Sequence, residues 1–343
     1  MTEKVVGRLK ENYFRQYQFI GLRANKNIYN RLEALVIPAF TILSRKDIEM
    51  LIQQGIALQE DDVEQGSILH LVDDAITEIK VVFEKVRYSN YVPLDNIHEK
   101  IIPIIILMSH RPDLKDILTR LEQHDEYTYR HSIGVALFSR LIGKAKGFHE
   151  RELLELTTAG FLHDIGKAKI PEEIINKPGK LTLEEFNIVK NHTLYGFDLI
   201  CNSSGVSRRH ALVALQHHER EDGSGYPYAV KAEDIDEYSK IVAVADVFHA
   251  MISKRVYKNP VPFYKVLQEM SQNAYGPLEP KITLCFLKRI MDMMIGNDVV
   301  LSNGMQGKII MISPNDPVNP LVDANGTYID LSKEQTIYLE KII

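Results

Sequence analysis

Apolar positions change their spacing twice along the chain, and each regime predicts a different kind of structure. In the first 60 residues short apolar runs stop at polar turns. Leu35-Val36-Ile37 precedes Pro38, and Thr41-Ile42-Leu43 runs into Ser44-Arg45-Lys46-Asp47. Ser44 can accept from a free N–H of a first helical turn, and Asp47, three residues on, approximates the acidic half of a capping box. Ile48, Leu51 and Ile52 then mark one helix face, with Gly55 as its stop. These signals predict a small mixed α/β domain over residues 1–64.

From about Gly66 the spacing turns helical. Ile68, Leu71, Val72, Ala75, Ile76, Ile79 and Val82 recur at three- and four-residue steps, which predicts a helical connector over 65–90. Pro93 and Pro103 punctuate the next stretch, Ile117, Leu118 and Leu121 open another helix, and an all-helical domain is expected over 91–295. The tail changes again. Val299-Val300-Leu301, Ser302-Asn303-Gly304 and Lys308–Ile312 read as strands around a tight turn, and Asn325-Gly326 signals a second hairpin. The expected fold is mainly α, with a short β-hairpin-rich appendage over 296–343.

Composition narrows the function. The 343 residues include 41 Lys+Arg against 46 Asp+Glu, a net charge of −5, which argues against a polymeric nucleic acid as partner. Cys201 and Cys285 are too few for a disulfide framework. Cys201 follows the apolar Phe197, Leu199 and Ile200 and is expected to be buried. The longest apolar run, Ile101–Met108, falls far short of the roughly 20 residues that span a bilayer, and the polar Met1–Lys10 does not read as a leader. No membrane partner and a cytoplasmic location are therefore expected. Nine of the 12 histidines lie between His124 and His249, which draws attention to the middle of the chain.

There His163-Asp164-Ile165-Gly166-Lys167 sets an imidazole beside a carboxylate, and both can face one metal site if the helix ends at them. His217-His218-Glu219 is followed by Asp222-Gly223-Ser224-Gly225-Tyr226-Pro227. Two consecutive helical residues diverge by about 100°, so two metals suit this pair better than one. His131 falls on an apolar face with Val135 and Phe138, and His192 is expected on a helix capped by Thr182 and Glu185. Asp246 interrupts the apolar run Ile241–Phe248, where an uncompensated carboxylate is costly.

In order and spacing these residues resemble the HD superfamily of metal-dependent phosphohydrolases. His163–Lys167 and the His217–Pro227 loop are similar to its HD-GYP branch, which hydrolyses cyclic di-GMP. The resemblance covers roughly residues 120–290. It implies an all-helical HD-type catalytic bundle in which His131, His163, Asp164, His192, His217, His218 and Asp246 ligate two divalent metals, with Asp164 bridging. Lys167 and Arg255 would contact phosphate, and Gly225 and Tyr226 would line the nucleotide pocket. A hydroxide held between two cations is a nucleophile at neutral pH, and iron or manganese suits an imidazole and carboxylate shell. The expected reaction opens cyclic di-GMP to linear diguanylate, with GMP from a second round.

The chain also departs from the branch. Tyr127 stands where some members carry a Glu for a third metal, which implies two metals here. His249 stands where the family usually has Asp, and is expected to reach a bound water or the leaving oxygen. Val256 replaces a frequent Pro. His70, His98, His110, His149 and His210 are expected on surfaces or helix faces, and His124 only in an outer shell. Alternatives are a non-catalytic cyclic-dinucleotide receptor, another HD-type enzyme (a nucleotidase or a diiron oxygenase), or a phosphodiesterase for a different cyclic dinucleotide. Pairing of the helices at about 65–120 between two chains, giving a homodimer, is a further expectation.

Overall fold

A computed structural model describes residues 16–20, 22–39, 41, 43, 45–64, 68–110, 117–118, 121, 126–253, 263–272, 276–334 and 336–342. The expectations placed on Ser44, Gly66, His124, Arg255 and Val256 lie outside the described residues.

The N-terminal part pairs β1 (Arg23–Ala24) with β4 (Val63–Glu64) and β2 (Ile28–Tyr29) with β3 (Leu35–Ile37), both antiparallel. Between them α1 (Arg45–Gln53) buries Ile48 and Leu51, and Gly55 ends its last turn with φ +68°. The next helix, α2 (Ile68–Tyr88), buries Val72, Ala75, Ile76, Ile79 and Val82 along one face and leaves Asp74, Lys80, Glu84 and Lys85 exposed. It is packed along the helical bundle, and the Lys169 ammonium donates to the carbonyls of Arg87 (3.1 Å) and Ser89 (2.6 Å) at its end.

The bundle begins with α3 (Ile102–Met108), whose Pro103 sits in the first turn where a missing N–H costs nothing. It continues through α4 (Tyr127–Ala145), α5 (Glu150–Leu162), a 3₁₀ turn (Ile165–Lys169), α6 (Leu183–Lys190), α7 (His192–Cys201) and α8 (Arg208–Gln216). It ends with α9 (Glu237–Ile252), α10 (Phe263–Gln272) and α11 (Pro280–Asp292). Helix α4 is central, buried nearly all round, and packs on α5, α9 and α11. Phe138, Phe248 and Phe286, one from each of α4, α9 and α11, meet edge-on at 4.8–5.9 Å between centroids and close the core behind the histidine cluster.

The tail forms one antiparallel sheet of order β8-β7-β6-β5-β9. Its strands are β5 (Asp298–Leu301), β6 (Gln306–Met311), β7 (Leu321–Ala324), β8 (Thr327–Asp330) and β9 (Leu339–Ile342). Asn325 and Gly326 both take positive φ, as the tight β7–β8 hairpin requires. Strand β9 had no turn signal to announce it. It pairs with β5 and also packs on α10, where the Tyr264 hydroxyl donates to the carbonyl of Val318.

Three local expectations change. The helix capped by Thr182 and Glu185 ends at Lys190, and His192 opens the next one after Asn191. Cys201 is exposed, because it closes α7 on the solvent side. His210 is buried at 4% exposure: its Nε2 lies 3.2 Å from the Glu155 carbonyl and its Nδ1 accepts from the Ser207 N–H.

Candidate metal centre

Each site residue arrives where a helix ends, begins or carries one polar position inward. Helix α5 stops at Leu162, so His163 and Asp164 leave it together and turn into the bundle. Gly166 makes that turn possible. A Cβ there would lie 2.0 Å from the His192 carbonyl oxygen and 2.5 Å from the Gly196 nitrogen, so the turn packs backbone to backbone against α7. That contact brings His192, the first residue of α7, beside Asp164. Helix α8 runs to Gln216 with His217 as its C-cap, still in helical dihedrals and bonded to the Val213 carbonyl, and the ring centroids of His217 and His218 lie 4.1 Å apart. His131 and Asp246 come from the buried faces of α4 and α9.

The side chains converge on Asp164, which is 1% exposed. Its Oδ1 lies 3.2 Å from His192 Nε2 and 3.7 Å from His217 Nε2, and its Oδ2 lies 3.2 Å from His163 Nε2 and 3.7 Å from His131 Nε2. Two sets of candidate ligand atoms result, each within 4.8 Å: Asp164, His192, His217 and His218, and His131, His163 and Asp164. Both consecutive histidines thus fall in one set, whereas the helical argument divided them between two metals. Asp246 lies outside both sets but close by, with Oδ1 3.0 Å from His131 Nε2 and Oδ2 3.8 Å from His218 Nδ1.

Protonation suits cation binding. Burial pushes His131, His217 and His218 below their ordinary values and His192 down to about 3, so these imidazoles keep a lone pair. Burial alone would raise Asp164, but Lys167 and His163 override it and hold the carboxyl well below the usual range. The same pairing raises Lys167, whose Nζ lies 2.5 Å from Asp164 Oδ2. His163 Nε2 and Asp164 Oδ1 are buried without a hydrogen-bond partner. Buried polar atoms are rarely left so, and these two fall one in each histidine group, as free ligand atoms for a cation in each would. Although burial opposes it, His163 alone of the five histidines is raised, by the Asp164 carboxylate beside it, and a set of imidazoles and carboxylates fits a divalent cation as well.

The backs of the ligands are held in turn. His163, His192 and His217 each set Nδ1 2.6–3.1 Å from a carbonyl of the preceding turn, leaving Nε2 for the centre. His131 differs: its Nδ1 faces His249 Nδ1 at 3.0 Å. The structure therefore places His249 behind His131 rather than beside the reacting atoms, buried and also 3.1 Å from Ser253 Oγ. Gly134 leaves room for that ring, since a Cβ there would lie 2.0 Å from it. Tyr127 stacks on the His131 ring at 5.4 Å.

The loop after His218 is folded against its own start. A Cβ on Gly225 would lie 2.4–2.5 Å from backbone atoms of His218, Glu219 and Arg220, so this glycine serves close approach. The Tyr226 N–H donates to the His218 carbonyl, and the Tyr226 ring stacks on His218 at 4.6 Å. Sequence reasoning missed Glu219. Its buried carboxylate accepts from the N–H groups of Tyr228 (2.8 Å) and Val230 (3.2 Å) and staples the loop. Its place directly after the two histidines was the available signal.

Comparison with known proteins settles the lineage. An HD-domain family model matches residues 104–281. The chain belongs to the HD-domain family. A protein from Thermotoga maritima named cyclic di-GMP phosphodiesterase is 42% identical over 178 residues, 51% of this chain and 48% of that one. A Pseudomonas aeruginosa protein with the same activity in its name is 30% identical over 73% of this chain and 60% of its own length. A 3'3'-cGAMP-specific phosphodiesterase from Vibrio cholerae is 34% identical over 50% of this chain and 33% of its own length. This HD-domain chain thus spans about half the length of the curated relatives it matches. A solved structure of a HDG"Y"P protein from Bdellovibrio bacteriovorus superposes on 78% of the chain and 96% of its own with a TM-score of 0.52. At 14% identity it supports the helical fold alone. Among the described residues no helix is long and apolar enough to cross a membrane.

Proposed function

We propose that this HD-domain protein is a metal-dependent phosphodiesterase of the HD-GYP type that opens cyclic di-GMP to linear diguanylate, and to GMP when the linear product binds again. The observation that carries the proposal is the division of labour at Asp164, whose two oxygens each face a separate histidine group. That is the arrangement of a carboxylate bridging two cations, with His131 and His163 on one side and His192, His217 and His218 on the other. Asp246 stands within reach of both groups. Two divalent ions, iron or manganese by the ligand chemistry, would supply a hydroxide at neutral pH and neutralise charge on the phosphoryl oxygens.

The chain's own residues do the rest. Lys167 brings an ammonium to the rim of the centre and keeps Asp164 ionised. Tyr226, laid on His218, would line the nucleotide site with Gly225, and the close approach at Gly225 and the Glu219 hydrogen bonds hold its loop in place. Arg255 joins Lys167 as a phosphate contact by its place in the family pattern. Residues 91–295 form the catalytic unit in this reading, with 1–64, 65–90 and 296–343 as appendages.

The test is anaerobic purification with metal analysis, followed by incubation with cyclic di-GMP and separation of products. About two metals per chain with linear diguanylate appearing is the expected result, and full metal loading with intact substrate overturns it. The likeness to a cGAMP-specific enzyme favours a second substrate, a mixed guanine–adenine ring. Competition between the two cyclic dinucleotides in one assay decides which has the higher kcat/KM.

A further inference from the structure

Outside the ligand set, one surface feature continues the line of rings that starts at the metal centre. Helix α6 leads into His192 and carries Phe186 and Lys190 four residues apart, hence on one face. Phe186 is 42% exposed. Its ring lies edge-on to Tyr226 with centroids 6.5 Å apart, and Tyr226 in turn stacks on His218. The Lys190 ammonium sits 4.9 Å from the Phe186 centroid and 5.5 Å from that of Tyr226, and it has no carboxylate partner among the described residues. An exposed aromatic face and an unneutralised cation therefore border the centre from outside it.

Resting on the phosphodiesterase reading, we propose that Phe186 and Lys190 form a substrate subsite, Phe186 as a platform on which a nucleobase stacks and Lys190 as the cation that meets a phosphate of the same ligand. Every base has a π-face, so a ring platform binds bases with little regard to identity. A lysine adds a mobile point charge suited to a phosphate whose position changes as the ring opens. The subsite takes nucleotides that present a flat heterocycle and an anionic linkage together. Inorganic phosphate alone engages only half of it.

The chain contains no tryptophan, so Phe186→Trp installs a single indole at the platform, which can be excited selectively over the tyrosines. Titration of that variant with cyclic di-GMP should quench its emission saturably, whereas inorganic phosphate should not. In the metal-loaded full chain, Phe186→Leu keeps an apolar side chain without a π-face. It should raise KM about 5- to 150-fold, the range of one base–aromatic stack, with metal content unchanged, and Phe186→Trp should restore binding. Lys190→Gln should raise KM and flatten its dependence on salt. Unquenched emission together with a wild-type KM in Phe186→Leu overturns the subsite. If wild-type protein hydrolyses no cyclic dinucleotide yet the tryptophan is quenched saturably, the phosphodiesterase reading fails while the base platform stands.

Discussion

Asp164 serves two histidine groups with one carboxylate, so its loss cannot be confined to one of them. Replacing an outer partner of a metal ligand typically costs roughly 10- to 100-fold in metal affinity. If the proposed two-cation bridge holds, Asp164→Asn should weaken binding of both ions by more than about 100-fold and abolish turnover, as metal analysis after dialysis and a product assay would show. Retention of one ion would mean that the two groups do not share the carboxylate. His249 acts one layer out. If His131 offers Nε2 to the centre, its proton sits on Nδ1 and is donated to His249 Nδ1, 3.0 Å away. His249→Ala should then weaken one ion about 10- to 100-fold by chelator competition and leave the other, and His249→Asp should restore it. An unchanged affinity in both variants would make the departure from the usual Asp neutral.

At the scale of elements, the centre depends on how closely two backbone segments approach. Gly166 lets the turn after Asp164 touch the first turn of α7. Gly166→Ala has to displace the backbone around His192, and overpacking of this kind costs about 1–3 kcal/mol. It should lower the denaturation midpoint and weaken metal binding together. A variant destabilised with full metal affinity would show that α7 can shift as a unit. Glu219 does for the loop what Gly166 does for the turn. Glu219→Ala removes two charge-assisted hydrogen bonds, each worth about 1.5–3 kcal/mol. It should raise KM through a displaced Tyr226 while metal content holds, and a wild-type KM would remove the loop staple from the argument.

For the whole molecule, cations that bind only the folded chain must stabilise it. At 100 times Kd that amounts to about 2.7 kcal/mol for each site. Removing metal by a chelator should therefore lower Tm by several degrees, and adding it back should restore the wild-type value. Asp164→Asn should show no such shift. The effect should extend past the histidines, because α4 and α9 deliver His131 and Asp246 from the same packed layer as Phe138, Phe248 and Phe286. Helix α2, packed along that bundle and tied by Lys169 to the turn after Asp164, should unfold with it rather than separately.

Local patterns were sufficient for much of this protein. Three- and four-residue apolar spacing predicted α2, the Thr182 and Glu185 capping box predicted the start of α6, and Asn325-Gly326 predicted the β7–β8 hairpin, because each signal lies within a few residues of its consequence. Candidate ligands adjacent in the chain, His163-Asp164 and His217-His218, also come together in the fold. Tertiary structure decided what depends on distant partners. It brought His217 and His218, at the end of α8, into one group with Asp164 and His192, and turned His249 toward His131. It also folded Glu219 under its own loop and buried His210 against Glu155. It added β9 to the sheet edge without a turn to announce it. Sequence spacing specifies direction only along a continuous helix or strand. Once an element ends, the backbone against which a residue packs determines where its side chain goes, and that backbone comes from another part of the chain.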